Sequence, residues 1–251
     1  PTLAFPFGPD QAIFATIGQV INRGGYPYID AWDQKPPGIY LLYALALRLP
    51  GPLMVRVRLF DLLWTSTALV VLFLLLHRLW NTRAAVFGTT LMGTVYFTTQ
   101  GWWYLAQPDG LAALPLALAL LLTLARGRWR WPCWLAAGAL TGMVFQLRFT
   151  AAPLVPTFVW TYLLLERGGR QRLLGWTMWA GAGFLLVQAA LLAYLAAGHA
   201  LRAYLEATRF AAGYARLGWP FAPPRRTIFT YLEYVRDSLA LFTFSHAVFV
   251  L

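Results

Sequence analysis

The chain is 251 residues long and 59% hydrophobic, and it carries 12 Trp, 12 Tyr and 17 Phe against 12% charged residues. That balance belongs to an integral membrane protein and excludes a soluble globular domain. The formal charge of +11 does not signal nucleic acid, because the arginines gather at the ends of apolar segments, where the positive-inside bias puts them, and a lone Cys133 excludes both a disulfide and a cysteine-based metal site.

From Asp10 to Arg23 the apolar Ile13, Ile17, Val20 and Ile21 recur at helical spacing opposite Gln11, Gly18, Gln19 and Asn22, which predicts a helix lying at the membrane surface. Gly24, Gly25 and Pro27 end it, and Pro36-Pro37 closes the loop that follows. Residues 39–49 are apolar but too short for a hydrocarbon core of about 30 Å, so they predict a second interfacial helix. Spans are predicted over residues 58–76, 84–100, 110–125, 131–147, 150–165 and 173–197, with another starting near residue 239. The expected fold is an all-α, multi-pass transmembrane helix bundle, with residues 1–251 in a single membrane domain and residues 8–54 as its first outer loop. Because the chain starts at Pro1 and stops within an apolar run, a fragment lacking upstream and downstream helices is expected.

Loop charge orients the spans. Arg78 and Arg83, then Arg126, Arg128 and Arg130, then Arg167, Arg170 and Arg172 fall on alternate connections, while residues 101–108 hold no basic residue and the next outer connection holds only Arg148. Those eight arginines predict cytoplasmic loops. The region 10–38, Asp109, Arg148 and the long segment 198–238 are then extracytoplasmic. That last segment is expected to be helical from Leu201 to Tyr214 and to form an outer loop, a candidate lid.

On the outer side the polar groups are few. Asp10, after Gly8-Pro9, reads either as a helix cap or as a general base at the interface. Asp30, Asp33 and Lys35, the only lysine, read either as a solvated loop or as a site; an ammonium suits a phosphate oxygen, and the two prolines after it restrict its backbone. Arg58 and Asp61 stand one turn apart and read as mutual neutralisation, with Arg58 also suited to a phosphate. Asp109, after Pro108, fits helix capping, and Arg148 fits either snorkelling or anion binding. The aromatics near span ends, including Trp102, Trp103 and Tyr104, fit an interfacial belt, with sugar stacking as an alternative for one of them. His77, His199 and His246 show no metal-ligand spacing.

In order, Asp10-Gln-Ala-Ile-Phe-Ala, Gly25-Tyr-Pro-Tyr-Ile-Asp30, Asp33-Gln-Lys-Pro-Pro-Gly38 and Arg58 at the head of a span ending in His77-Arg78-Leu79 resemble the GT-C glycosyltransferases. Within that class the chain is similar to bacterial enzymes related to the lipid A aminoarabinose transferases and the protein O-mannosyltransferases. The resemblance implies an enzyme that takes a sugar from a polyprenyl-phosphate carrier and transfers it, with inversion, to a glycan, lipid or protein acceptor. It implies Asp10 as catalytic base, Lys35 beside the lipid phosphate and Asp109 as an acid of the second outer loop. The family often has Asp-Glu where this chain has Asp10-Gln11, which disfavours a role needing two adjacent carboxylates. The sequence assigns no certain cofactor, and a divalent cation is compatible with it.

The expectation is therefore a glycosyltransferase of the bacterial cytoplasmic membrane, with Asp10 catalytic, with Asp30, Asp33, Lys35, Arg58, Asp109 and Arg148 binding substrate, and with its site facing outward among membrane lipids. The rival is a transporter or lipid flippase, which would place ionisable residues near mid-span.

Overall fold

The computed structural model describes residues 3, 5–99, 103–165 and 169–216. Among them the secondary structure is helical: α1 (Pro9–Asn22), α2 (Gly38–Ala46), α3 (Leu53–Leu79), α4 (Thr82–Thr94, extended by a π-helical turn Val95–Thr99), α5 (Pro108–Thr123), α6 (Arg130–Leu147), α7 (Leu154–Leu165), α8 (Gly169–Ala197) and α9 (Leu201–Arg216). The protein is an all-α membrane helix bundle. The expected span near residue 239 and the loop after residue 216 lie outside the described residues.

The two longest helices set the membrane dimension. At about 1.5 Å per residue, α3, with 27 residues, and the 27 residues Gln171–Ala197 each reach about 40 Å, enough to cross with a tilt. Only 22% of the apolar window of each is buried within the protein. Outward they present Leu63, Val70, Leu74, Leu174, Met178, Leu185 and Leu186, all more than 45% exposed, which is the surface that lipid covers. Helix α7 is shorter than expected: it begins at Leu154 after a turn over residues 149–153, and its 12 residues reach only about 18 Å.

Polar backbone inside the bundle is satisfied by side chains. Pro115 lies within α5 and cannot donate to the Leu111 carbonyl one turn back; the indole N–H of Trp64 donates to that oxygen instead, at 2.9 Å. At the far end of α5, Trp134 donates to the Thr123 carbonyl at 3.2 Å and Arg78 to that of Leu124 at 2.8 Å, so terminal carbonyls are not left bare. Helices α6 and α8 approach so closely that a Cβ on Gly138 or Gly183 would collide with the opposing backbone at Ala180 or Leu135. Across the same crossing the Gln146 amide donates to Gln188, a small-residue and amide contact typical of membrane bundles.

Helices α1 and α2 pack on one another. Gly18 allows it, since a Cβ there would stand 2.9 Å from the Ala44 nitrogen. Phe14, Ile17, Ile39, Tyr40 and Tyr43 are fully buried between them. The N-termini of α1 and α5 and the C-terminus of α6 meet at one end of the bundle, opposite the end where Arg78 reaches α5.

Candidate active site

Two Pro-Asp pairs begin two helices. In α1 the cap is Gly8, followed by Pro9 and Asp10; in α5 it is Gln107, followed by Pro108 and Asp109. Proline tolerates the first helical position because its missing N–H is unneeded there. Each aspartate therefore stands in the first turn, where the positive end of the helix favours an anion. Neither is the capping residue itself, which revises the capping reading of Asp10 and Asp109.

Both pairs open onto one cleft of about 340 Å³, lined by Gly8, Pro9, Asp10, Lys35, Trp103, Tyr104, Gln107, Pro108, Asp109 and Arg148. Four of the seven expected site residues therefore meet: two carboxylates and two cations. Arg148 Nε lies 3.0 Å from Asp109 Oδ1, with both side chains substantially exposed. Adjoining the cleft is a larger pocket of about 490 Å³, mostly apolar, which shares Lys35, Pro108 and Arg148 with it and is walled by Phe145, Leu147, Phe149 and the α9 residues Tyr204, Ala207 and Ala211.

Lys35 is set by its loop. Its amide N–H points to the Tyr40 hydroxyl at 3.2 Å, and its carbonyl accepts from the Tyr28 hydroxyl at 2.7 Å. Tyr40 in turn donates to Asp33 Oδ2 at 2.9 Å. Burial, reinforced by neighbouring phenols and Asp33, pushes both hydroxyls well above the ordinary tyrosine range, so both remain protonated. Tyr28 holds a left-handed backbone, φ 72°, an uncommon conformation for a bulky residue that is tolerated where surrounding contacts enforce it.

Asp33 thus braces the loop, accepting also from the Gln34 amide at 2.7 Å. Asp30 closes a turn, accepting from the Tyr26 amide at 2.8 Å. Neither lines the cleft.

Arg58 lies beneath it, 1% exposed, and its guanidinium donates to the carbonyls of Pro6 (2.7 Å), Phe5 and Leu105 (3.4 Å each) and to Gln11 Oε1 (3.1 Å). Gln11 is fully buried. Its oxygen also accepts from the Gly8 amide at 2.7 Å, while its NH₂ donates to the carbonyls of Trp103 (3.3 Å) and Leu105. The oxygen faces donors and the nitrogen faces acceptors, so the amide is matched in both halves. Asp61 accepts from the Tyr96 hydroxyl (2.7 Å) and the Ala106 amide (3.1 Å). Ala106 has φ 58°, and its carbonyl accepts from Tyr43 at 2.9 Å. This layer fixes residues 103–107 and the start of α1 against each other.

The chain matches the family model described as dolichyl-phosphate-mannose-protein mannosyltransferase over residues 34–207, more than half its length. It belongs to that family. No match was found among curated proteins or among solved structures. As a member of this mannosyltransferase family the protein is a glycosyltransferase of GT-C type, for which a lipid-linked sugar donor and a glycan or protein acceptor are implied in general; the transporter alternative is set aside. Lys35, Arg58, Asp109 and Arg148 fall within the match, and Asp10, Asp30 and Asp33 precede it.

Among the described residues no three or more His, Cys, Asp or Glu gather, and the cleft offers a divalent cation two carboxylates, Asp10 and Asp109. Sequence reasoning missed Gln107 in the cleft and Gln11 below it. The repeated Pro-Asp pair was the available signal for the wall that carries Gln107.

Proposed function

We propose that this family member is an inverting glycosyltransferase that moves a sugar from a polyprenyl-phosphate carrier to an acceptor hydroxyl at the extracytoplasmic face of a bacterial cytoplasmic membrane. The observation that carries this reading is that Asp10 and Lys35 share a cleft which continues, past Lys35, Pro108 and Arg148, into an apolar pocket. A polyprenyl phosphate has the same division, with a hydrocarbon tail joined to a polar head.

In this reading the lipid tail occupies the apolar pocket, its phosphate lies by Lys35 and Arg148, and the sugar projects into the cleft toward Asp10. The acceptor oxygen attacks the anomeric carbon from the face opposite the phosphate. Asp10 accepts its proton, the carbon–oxygen bond to phosphate breaks, and the electron pair leaves on the polyprenyl phosphate. Charge grows on the phosphate as it departs, and fixed cations beside it lower the barrier. Asp109, 3.0 Å from Arg148 Nε, orients that guanidinium in the cleft. Helix α9 walls the tail pocket, which supports a lid role for that helix. The arginine-rich loops at the opposite end of the bundle support an outward-facing cleft.

The test is reconstitution of the protein in lipid with a polyprenyl-phosphate sugar. Transfer with inverted anomeric configuration and release of polyprenyl phosphate are expected, together with a polyprenyl phosphate among copurifying lipids. Near wild-type transfer by Asp10→Asn removes the mechanism.

A further inference from the structure

Trp103 and Tyr104 are 49% and 47% exposed, as an interfacial belt residue would be. Their surroundings differ from a belt. Both line the polar cleft with Asp10 and Asp109 and neither lines the apolar pocket. The Trp103 carbonyl accepts from Gln11 at 3.3 Å and from Gln107 at 3.1 Å, and three residues on the chain is pinned in its left-handed turn at Ala106. Anchorage at a membrane surface requires no such fixing of the backbone. A ligand platform does, because an aromatic face that must meet a ring at a set position gains from being held in advance.

The chemistry of the wall fits a sugar ring. A pyranose presents an apolar C–H face that packs on an indole or phenol, and a hydroxyl edge that needs amide and carboxylate partners. Trp103 and Tyr104 supply the first; Gln107, three residues on from Tyr104, and Asp10, both lining the same cleft, supply the second.

Position decides which sugar. A Cβ on Gly8 would stand only 2.9 Å from Trp103 Cβ, so Trp103 abuts the turn that carries Asp10 two residues later. In an inverting displacement the base lies with the incoming hydroxyl and the phosphate-binding cations lie on the opposite face. Trp103 is on the base's side.

Resting on the reading of the preceding subsection, we infer that the Trp103–Tyr104 wall is the acceptor subsite and that the acceptor is a glycan, whose sugar ring stacks on Trp103 while one of its hydroxyls is presented to Asp10. The acceptor O–H adds its oxygen to the anomeric carbon, its proton passes to Asp10, and polyprenyl phosphate leaves. A serine or threonine side chain, with no ring face, makes no use of the platform.

The experiment uses the full chain in nanodiscs with a panel of polyprenyl-phosphate hexoses and pentoses as donors, and offers oligosaccharides or Ser/Thr peptides as acceptors. Glycan acceptors are expected to be used and peptides refused. Trp103→Ala should raise the glycan KM at least tenfold while the donor KM stays within twofold; Trp103→Phe should recover most of the loss. Tyr104→Ala should shift the same KM by less. A rise in donor KM at constant acceptor KM would assign the ring to the donor and overturn the inference, as would equal use of peptides or an unchanged KM in Trp103→Ala. Failure of the underlying reading looks different: no polyprenyl phosphate is released by the wild type with any acceptor or with water.

Discussion

The bundle holds two sets of polar groups near its cleft, and they differ in what water can reach. Asp10, Lys35, Asp109 and Arg148 line an open cavity. Gln11, Arg58 and Asp61 are at most 2% exposed, and each has partners within the protein. Both sets contain charged groups of either sign, and α1 carries a member of each, Asp10 and Gln11. A group that is to exchange a proton or hold a phosphate has to keep a face to the cavity, whereas a buried polar group stabilises only if its bonds are already made. The rim is therefore the place for chemistry and the layer below is its foundation.

The largest expected effect is at the rim. Asp10→Asn keeps the shape of the side chain and removes the proton acceptor, so kcat should fall by about 10² to 10⁴, the range typical of a general base, with thermal unfolding unchanged. Lys35→Ala should lower kcat by about 10² to 10³, comparable to removing one group that stabilises charge in the transition state, and Lys35→Arg should recover part of it. Either variant retaining wild-type turnover would dissolve the distinction between the two layers.

The opposite pattern is expected below. Arg58→Ala removes the guanidinium donors to the part-buried Phe5 and Pro6 carbonyls and one of the two donors to the buried Gln11 oxygen, at up to about 1–3 kcal/mol for each group left buried and unsatisfied. Gln11→Glu sets a carboxylate against the carbonyls of Trp103 and Leu105. Both should lower the unfolding temperature in lipid or detergent and the yield of folded protein. Should Arg58→Ala fold normally and lose donor binding instead, Arg58 belongs to the rim.

The helices were legible because apolar runs and arginine placement carry them. The expected surface helix from Asp10 to Arg23 is found as Pro9–Asn22, and the long spans were located to within a few residues. Helix α7 was overestimated because hydropathy records composition and not where the chain turns: residues 150–153 are as apolar as a helix but form a turn. Within the site, loop charge predicted one side of the bundle for Asp10, Asp30, Asp33, Lys35, Arg58, Asp109 and Arg148 but not which of them line the cleft, which are Asp10, Lys35, Asp109 and Arg148. The fate of Arg58 was not legible, since spacing of i, i+3 shows a neighbour and says nothing of the carbonyls at Phe5, Pro6 and Leu105 that approach from distant segments. Gln11 was read as a lost carboxylate, and only the geometry of the loop above it shows an amide matched to two donors and two acceptors.

Between rim and foundation lies the brace on Lys35. Tyr40→Phe removes the hydroxyl that meets both the Lys35 amide and Asp33. One hydrogen bond of about 1 kcal/mol acting through the position of the ammonium predicts a loss of about fivefold in kcat. The donor affinity and the fold should change little, and Asp33→Asn should match it.

The smallest effect is expected at Asp30, which makes it the sharpest test of whether place in the cavity or proximity in sequence defines this site. Asp30 is five residues from Lys35 and carries a carboxylate as Asp10 does, yet it is exposed and that carboxylate is turned back onto the Tyr26 amide. Replacing it with alanine removes one surface hydrogen bond, worth at most about 1 kcal/mol, and leaves the phenols on either side of Lys35 untouched. Turnover within twofold of wild type is expected at every donor concentration. A tenfold loss in Asp30→Ala would mean that the first loop acts as a unit and that the cleft extends over residues 26–31 when substrate is bound.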